Sequence, residues 1–316
     1  MNKKSLRTLI VLVMLIFITS MACGSSDNTS TKVGEVETEP TESSMGEATE
    51  EPVIVSEDPT AAPTETTQLK DKYAVGDIIA TPNQVIVLTG AEFLNNLLVA
   101  DFAIGNTGND FSSISSLISF SARNSDGTTL EQEWFDCSPG LDGTIAPGDK
   151  LKGKICWINA TPGVKIYYEE NFLSSGAIVW EVNESTPTSG AQIPEIDNLV
   201  LTVETQPIGT EVNLNGENII LNSAVINNGL LTANFTVKNT GTEELNVSSY
   251  MSFSARAADG TKLDQEIFDC GNGPDGSVQP GDLIRGDICC SNASSGTKIY
   301  YQSVLFSSQY VIWIIN

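Results

Sequence analysis

The run SFSARNSDGTTLEQEWFDC, Ser119 to Cys137, is written a second time as SFSARAADGTKLDQEIFDC, Ser252 to Cys270. The offset is 133 positions, and it holds without a gap from about Val75 to the C-terminus. Each copy spans roughly 105 residues, an ordinary size for one domain. The chain is therefore expected to fold as two versions of one module.

The signals within a copy are strand signals. Gln84 to Thr89 is rich in β-branched residues, and Leu98, Ala100, Phe102 and Ile104 alternate along Leu97 to Ile104. The second copy repeats the face as Leu231, Ala233, Phe235 and Val237, with a cleaner polar partner face of Thr232, Asn234 and Thr236. Phe120 and Ala122 alternate with Ser119, Ser121 and Arg123, and further apolar runs lie at Leu151 to Ile158, Val164 to Tyr168 and Ala177 to Val182. Turn sequences separate them: Asn106-Thr-Gly108, Ser125-Asp-Gly127 and Pro147-Gly148-Asp149, then Asn239-Thr-Gly241, Asp259-Gly260 and Pro280-Gly281-Asp282. No stretch sustains a helical period. About seven or eight short strands per copy predict two tandem immunoglobulin-like antiparallel β-sandwiches, with a small closed barrel as the runner-up.

What precedes the modules reads differently. Lys3, Lys4 and Arg7 stand before the unbroken apolar run Leu9 to Ile18, which is short for a membrane span and has the layout of an export signal. Ser20-Met21-Ala22-Cys23 follows, and it resembles the bacterial lipoprotein signal, although the commonest form has leucine where Ser20 stands. By that resemblance Cys23 becomes a lipidated N-terminus that anchors the chain to the membrane. An ordinary signal peptide or an uncleaved anchor is the alternative. The next segment is low in hydrophobicity and rich in Thr, Glu, Pro and Ser, so it is expected to be a disordered tether. The expected layout is a signal at 1–22, a lipidated tether at 23–72, module one at 73–183, a linker at 184–206 and module two at 207–316. Within the linker, the β-branched run Leu199 to Glu204 has the composition of a strand.

The formal net charge is −24, and removal of Lys3, Lys4 and Arg7 makes it −27. This balance opposes nucleic-acid binding and docking on anionic lipid. The chain has no histidine, which excludes Ser-His and Cys-His catalysis. No cofactor is implied.

Of the six cysteines, Cys137 and Cys156 are 19 apart, and so are Cys270 and Cys289. In an exported chain these pairs read as disulfides. Cys290 is left over and stands where module one has Trp157. It reads as a free thiol, an intermolecular bridge or an inert residue.

The run Val75-Gly-Asp77, Asn106-Thr-Gly108, Ser125-Asp-Gly-Thr128, Leu141 to Asp149 and Leu151-Lys-Gly-Lys154 resembles the telokin-like, immunoglobulin-like extracellular domains of bacterial lipoproteins. That family has no known function and is related to a mycobacterial immunoprotective secreted protein. In the second copy the likeness rests on Asn239-Thr-Gly241, Asp259-Gly-Thr261 and Asp275 to Asp282. The resemblance implies β-sandwiches behind a lipidated spacer and brings no active site.

Two sets of residues remain as site candidates. The acidic turn residues Asp126, Asp136, Asp142 and Asp149 recur as Asp259, Asp269, Asp275 and Asp282. Such carboxylates can hold Ca²⁺ or serve as a glycosidase pair, although turn chemistry alone accounts for them. The second set is aromatic. With Cys137 and Cys156 pointing inward, Trp134 and Trp157 lie an odd number of positions away and point outward. Together with Tyr168 they would form an exposed platform for a glycan or protein partner. Trp180 and Trp313 occupy matching positions and read as core.

The function expected from these readings is a non-catalytic, membrane-anchored extracytoplasmic protein that binds an unknown surface protein or glycan. The alternatives are an exported polysaccharide-acting enzyme and a Ca²⁺-stabilised adhesion module.

Overall fold

A computed structural model describes residues 71–133, 137–170, 177–190, 192–266, 270–303 and 309–316. The signal sequence, Cys23 and the tether lie outside the described residues. The described residues all belong to one compact unit, Glu65–Asn316.

The first half is an antiparallel sandwich. One sheet has the order β1 (Ile78–Ala80), β2 (Gln84–Leu94), β3 (Leu97–Asn106), β8 (Lys150–Ile158) and β6 (Gln132–Glu133). Facing it are β10 (Ile178–Val182), β9 (Val164–Tyr168) and β5 (Phe120–Arg123), and a short pair joins β4 (Ser112–Ile114) to β7 (Gly143–Ile145). The second half repeats the plan. Its sheets are β11 (Glu211–Leu214), β12 (Glu217–Asn227), β13 (Leu230–Asn239) and β17 (Leu283–Cys290); β15 (Phe253–Arg256), β18 (Thr297–Tyr301) and β19 (Val311–Ile315); and the pair β14 (Leu245–Val247) with β16 (Gly276–Val278). The chain is therefore all-β, with two antiparallel sandwiches.

The alternation seen in the sequence builds the cores. Leu98, Ala100, Phe102 and Ile104 are buried in the first, and Leu231, Ala233, Phe235 and Val237 in the second. Trp180 stands edge-on to Phe102 at 5.5 Å, and Trp313 to Phe235 at the same distance. The row continues through Phe120 to Tyr168 in one half and through Phe253 to Tyr301 in the other, with ring centroids 4.7–4.9 Å apart. Each terminal tyrosine donates to the first residue of a long strand: Tyr168 to Gln84 Oε1 at 2.5 Å, and Tyr301 to Glu217 Oε2 at 2.9 Å.

The Asn-Thr-Gly motifs do more than turn the chain. Asn106 Nδ2 donates to the carbonyls of Asp110 (2.7 Å) and Ile145 (2.8 Å), and Gly108 N–H donates to its Oδ1. Asn239 makes the same bonds to Glu243, Val278 and Gly241. A buried asparagine thus ties the end of the long β3 or β13 strand to the neighbouring short pair.

The segment between the sandwiches is a packed strap. Thr186 and Ala91 exchange backbone hydrogen bonds at 2.7 Å, and Thr188 Oγ1 donates to Asp101 at 2.6 Å. Ile196, in the helical turn Pro194–Asp197, is buried against Val85, Val87 and Ala103 on the outer face of the first sheet. Leu199 to Glu204 forms no strand; Leu201 and Val203 instead pack beside Ala146, Tyr300 and Ile312. The run is β-branched because it fills a seam between two bodies.

Candidate functional site

A cluster of buried charged groups lies where the two sandwiches meet. Asp149 follows Pro147-Gly148 at the start of β8, and its side chain is fully shielded from solvent. Arg256, at the end of β15, places Nη1 3.4 Å from its Oδ2 and is itself buried. Lys298 of β18 pairs with Oδ1, and the Tyr300 hydroxyl donates to Oδ2. Arg256 lies over the Tyr300 ring, 4.5 Å from its centroid, and Nη2 donates to the carbonyl of Thr144. Gly143 has no side chain, which leaves room for that guanidinium, since a Cβ there would come within 3.0 Å of Nη2.

Burial pushes the Asp149 carboxyl up, but Arg256 and Lys298 outweigh it and hold the group below its ordinary value. Backbone bonds extend the joint: Lys152 N–H donates to Gly260 O at 2.8 Å, and Lys262 N–H to Lys152 O at 3.2 Å. Ser138 donates to Asp264, and Phe111 stacks on Tyr310 at 4.7 Å. A buried carboxylate with three donors is an anchor, and all the groups around it are already partnered.

The aromatic platform is not present as expected. Trp157 is 0 % exposed and Tyr168 is 1 % exposed. Trp134 lies outside the described residues. Adjacent strand positions do alternate, but the polarity is opposite to the expectation. Leu151, Ile155 and Trp157 face the core, while Lys152, Lys154 and Cys156 share the other face. The cystines Cys137–Cys156 and Cys270–Cys289 therefore sit outside the two core clusters, whereas Trp157 and its counterpart Cys290 sit inside them. The run Lys150-Leu-Lys-Gly-Lys-Ile-Cys-Trp carries that signal, because three lysines share a parity with Cys156. Cys290 is a buried core thiol, and burial pushes its pKa up to about 12.

The acidic turn residues have local partners. Asp126 accepts from Thr128 N–H at 2.9 Å, and Asp259 from Thr261 N–H at 3.0 Å. Asp142 accepts from Ser116 N–H at 2.8 Å, and Asp275 from Ser249 N–H at 2.7 Å. Asp136 and Asp269 lie outside the described residues, and Asp282 is exposed. Among the described residues no three His, Cys, Asp or Glu side chains converge as a metal site. One open cleft, about 500 Å³, runs from Pro139 to Lys262 and Asn292. Its carboxylates, Asp259 and Asp264, are those already held by Thr261 and Ser138.

One buried acid belongs to no sequence motif. Glu217 occupies the place of Gln84, and its Oε1 accepts no hydrogen bond among the described residues. Gln84 satisfies its amide by donating to Ser112, whose counterpart in the second copy is Leu245. Burial raises the pKa of Glu217, against the opposing effect of the Ser303 and Tyr301 hydroxyls.

No protein-family model matches the chain. No curated protein matches it either. Among solved structures, it is similar to yjhA from Bacillus subtilis at 11% identity and TM-score 0.31, over 35% of this chain and 98% of that one. It is also similar to ycdA from Bacillus subtilis, described as a candidate lipoprotein, at 16% identity and TM-score 0.30, over 35% of this chain and 39% of that one. A third is MPT63, a secreted protein of Mycobacterium tuberculosis, at 14% identity and TM-score 0.27, over 35% of this chain and 96% of that one. Each match covers about the length of one sandwich.

Proposed function

We propose that this chain is an exported, lipid-anchored protein of the extracytoplasmic face whose sandwiches act together as one rigid, non-catalytic binding or structural body. In this reading residues 1–22 are the signal, 23–72 the lipidated tether, 73–183 and 207–316 the two modules, and 184–206 the strap between them. The observation that carries it is the joint. Asp149, Arg256, Lys298 and Tyr300 are spent on holding two bodies in register, which suits display or load-bearing better than turnover. The two cystines add support for an oxidising compartment, because such bonds persist mainly outside the cytosol.

The lipid is tested in the native host by detergent-phase partitioning and mass spectrometry of the N-terminal peptide. A diacylglycerol mass on Cys23, lost in Cys23→Ala together with membrane retention, supports the anchor. A processed N-terminus without lipid refutes it. A screen against wall glycans and surface proteins tests the binding role.

A further inference from the structure

The joint is assembled from parts that both sandwiches carry, and one half of it is left open on each. The receiving half in the second sandwich is Arg256, Lys298 and Tyr300. The residues 133 positions earlier are Arg123, Lys165 and Tyr167, identical in type. Their register is also the same: Arg123 pairs with Lys165 across β5 and β9, as Arg256 pairs with Lys298 across β15 and β18. Even the guanidinium-on-ring contact recurs, at 5.3 Å for Arg123 over Tyr167. Yet Arg123 is exposed, and Lys165 and Tyr167 are only half-buried.

The entering half is equally duplicated. Asp149 ends the turn Pro147-Gly148-Asp149, and Asp282 ends Pro280-Gly281-Asp282. The backbone frames match, with Asp149 N–H donating to Ala146 O and Asp282 N–H to Gln279 O, both at 2.9 Å. The carbonyl of each aspartate accepts from the buried asparagine, at 2.9 Å from Asn106 and 3.0 Å from Asn239. Asp149 is buried on its three partners, whereas Asp282 is exposed.

We infer that these two open halves bind each other between chains, with Asp282 of one copy entering the Arg123, Lys165 and Tyr167 face of a second copy, head to tail. The contact repeats one the molecule already makes internally, so its charge complementarity and its backbone shape are both on hand. It is heterologous, and such contacts give open strings of subunits unless the rotation closes. It is also weaker than the internal joint. The apolar residues Phe111 and Ala146 become Glu244 and Gln279 in the second copy, so the greasy part of the seam is missing. Glu181 stands across from Lys165 where the second sandwich has Ile314, but Lys72 pairs with it. A weak contact of this kind becomes effective when chains share a surface, where local concentrations reach the millimolar range.

The test is sedimentation velocity of the full chain in a molar excess of detergent micelles, from roughly 1 µM to about 1 mM. The sedimentation coefficient is expected to rise with concentration. Arg123→Glu alone and Asp282→Arg alone are each expected to weaken association at least about tenfold, while an equimolar mixture of the two restores it, because the Asp282 kept by the first variant enters the Arg123 face kept by the second. Circular dichroism checks that both variants fold; should either fail, Arg123→Gln and Asp282→Asn carry the same comparison without the mixing step. A wild-type chain that stays monomeric across the range overturns the inference. So does association that neither substitution weakens, or a mixture that stays dissociated. Occupation of the Arg123 face by the chain's own acidic N-terminal segment would appear as the monomeric outcome.

Discussion

Asp149 of the first sandwich and Arg256 of the second stand 3.4 Å apart with both side chains sealed from solvent. Each would be costly alone, because a buried charge without its partner loses far more than a surface ion pair gains. Removing the carboxylate in Asp149→Ala leaves Arg256 and Lys298, cross-strand neighbours on the second sandwich, without their carboxylate at the seam. The expected loss is about 3–5 kcal/mol. Calorimetry is expected to show one transition for the native chain and two for the variant.

The same aspartate sets an acid limit. Its pKa is held below the ordinary 3.8, so its contribution is complete above that value and is lost as pH falls through the lowered one. Coupling between the sandwiches should therefore survive at pH 5 and fail only in strong acid, below about pH 4. An Asp149→Asn chain, melted from pH 2 to pH 6, should lack that acid limb.

Glu217 acts in the opposite direction. Its pKa is raised, so the stability it permits is complete below 4.5 and declines as pH rises through the raised value. Glu217→Gln copies the neutral group that Gln84 supplies in the first sandwich and should remove this decline. A gain of about 1–3 kcal/mol is expected at pH 8 and little change at pH 4. Chemical denaturation at the two pH values checks it, and equal effects at both would contradict the assignment.

Trp157 and Cys290 are core residues at equivalent positions, so both should report on unfolding rather than on ligands. Trp157→Ala is expected to cost about 3–5 kcal/mol. Iodoacetamide should leave Cys290 unmodified in the native chain and label it only as the second sandwich unfolds. Fast labelling under native conditions would place that thiol at the surface.

The strap depends on glycines that the second sandwich lacks. A Cβ on Gly90 would fall 2.5 Å from the Thr188 backbone, and one on Gly105 would fall 2.4 Å from the Leu199 side chain. Ser223 and Lys238 occupy the equivalent places, and both are exposed. Gly90→Ser is thus expected to displace residues 184–190, destabilise by about 1–3 kcal/mol and expose the strap to limited proteolysis.

The duplication and the alternation of apolar residues determined the two sandwiches, since a half-buried strand records its inward face in its own sequence. The cystine spacing was legible for the same reason: the two pairs recur in register. The outward side was less so. Val85-Ile-Val-Leu88 is apolar at every position, against Asn218-Ile-Ile-Leu221 in the second copy. That difference marks a sheet covered on both faces, but it cannot say by what. Trp157 is buried against expectation because parity tells which residues share a face and not which face is the core. The joint was beyond local reading altogether. Arg123 and Arg256 both follow Ser-Phe-Ser-Ala and precede an Asp-Gly turn, and one is exposed while the other is buried on Asp149. Only the packing of one body against another separates them, because burial of a charge is decided by neighbours more than a hundred residues away.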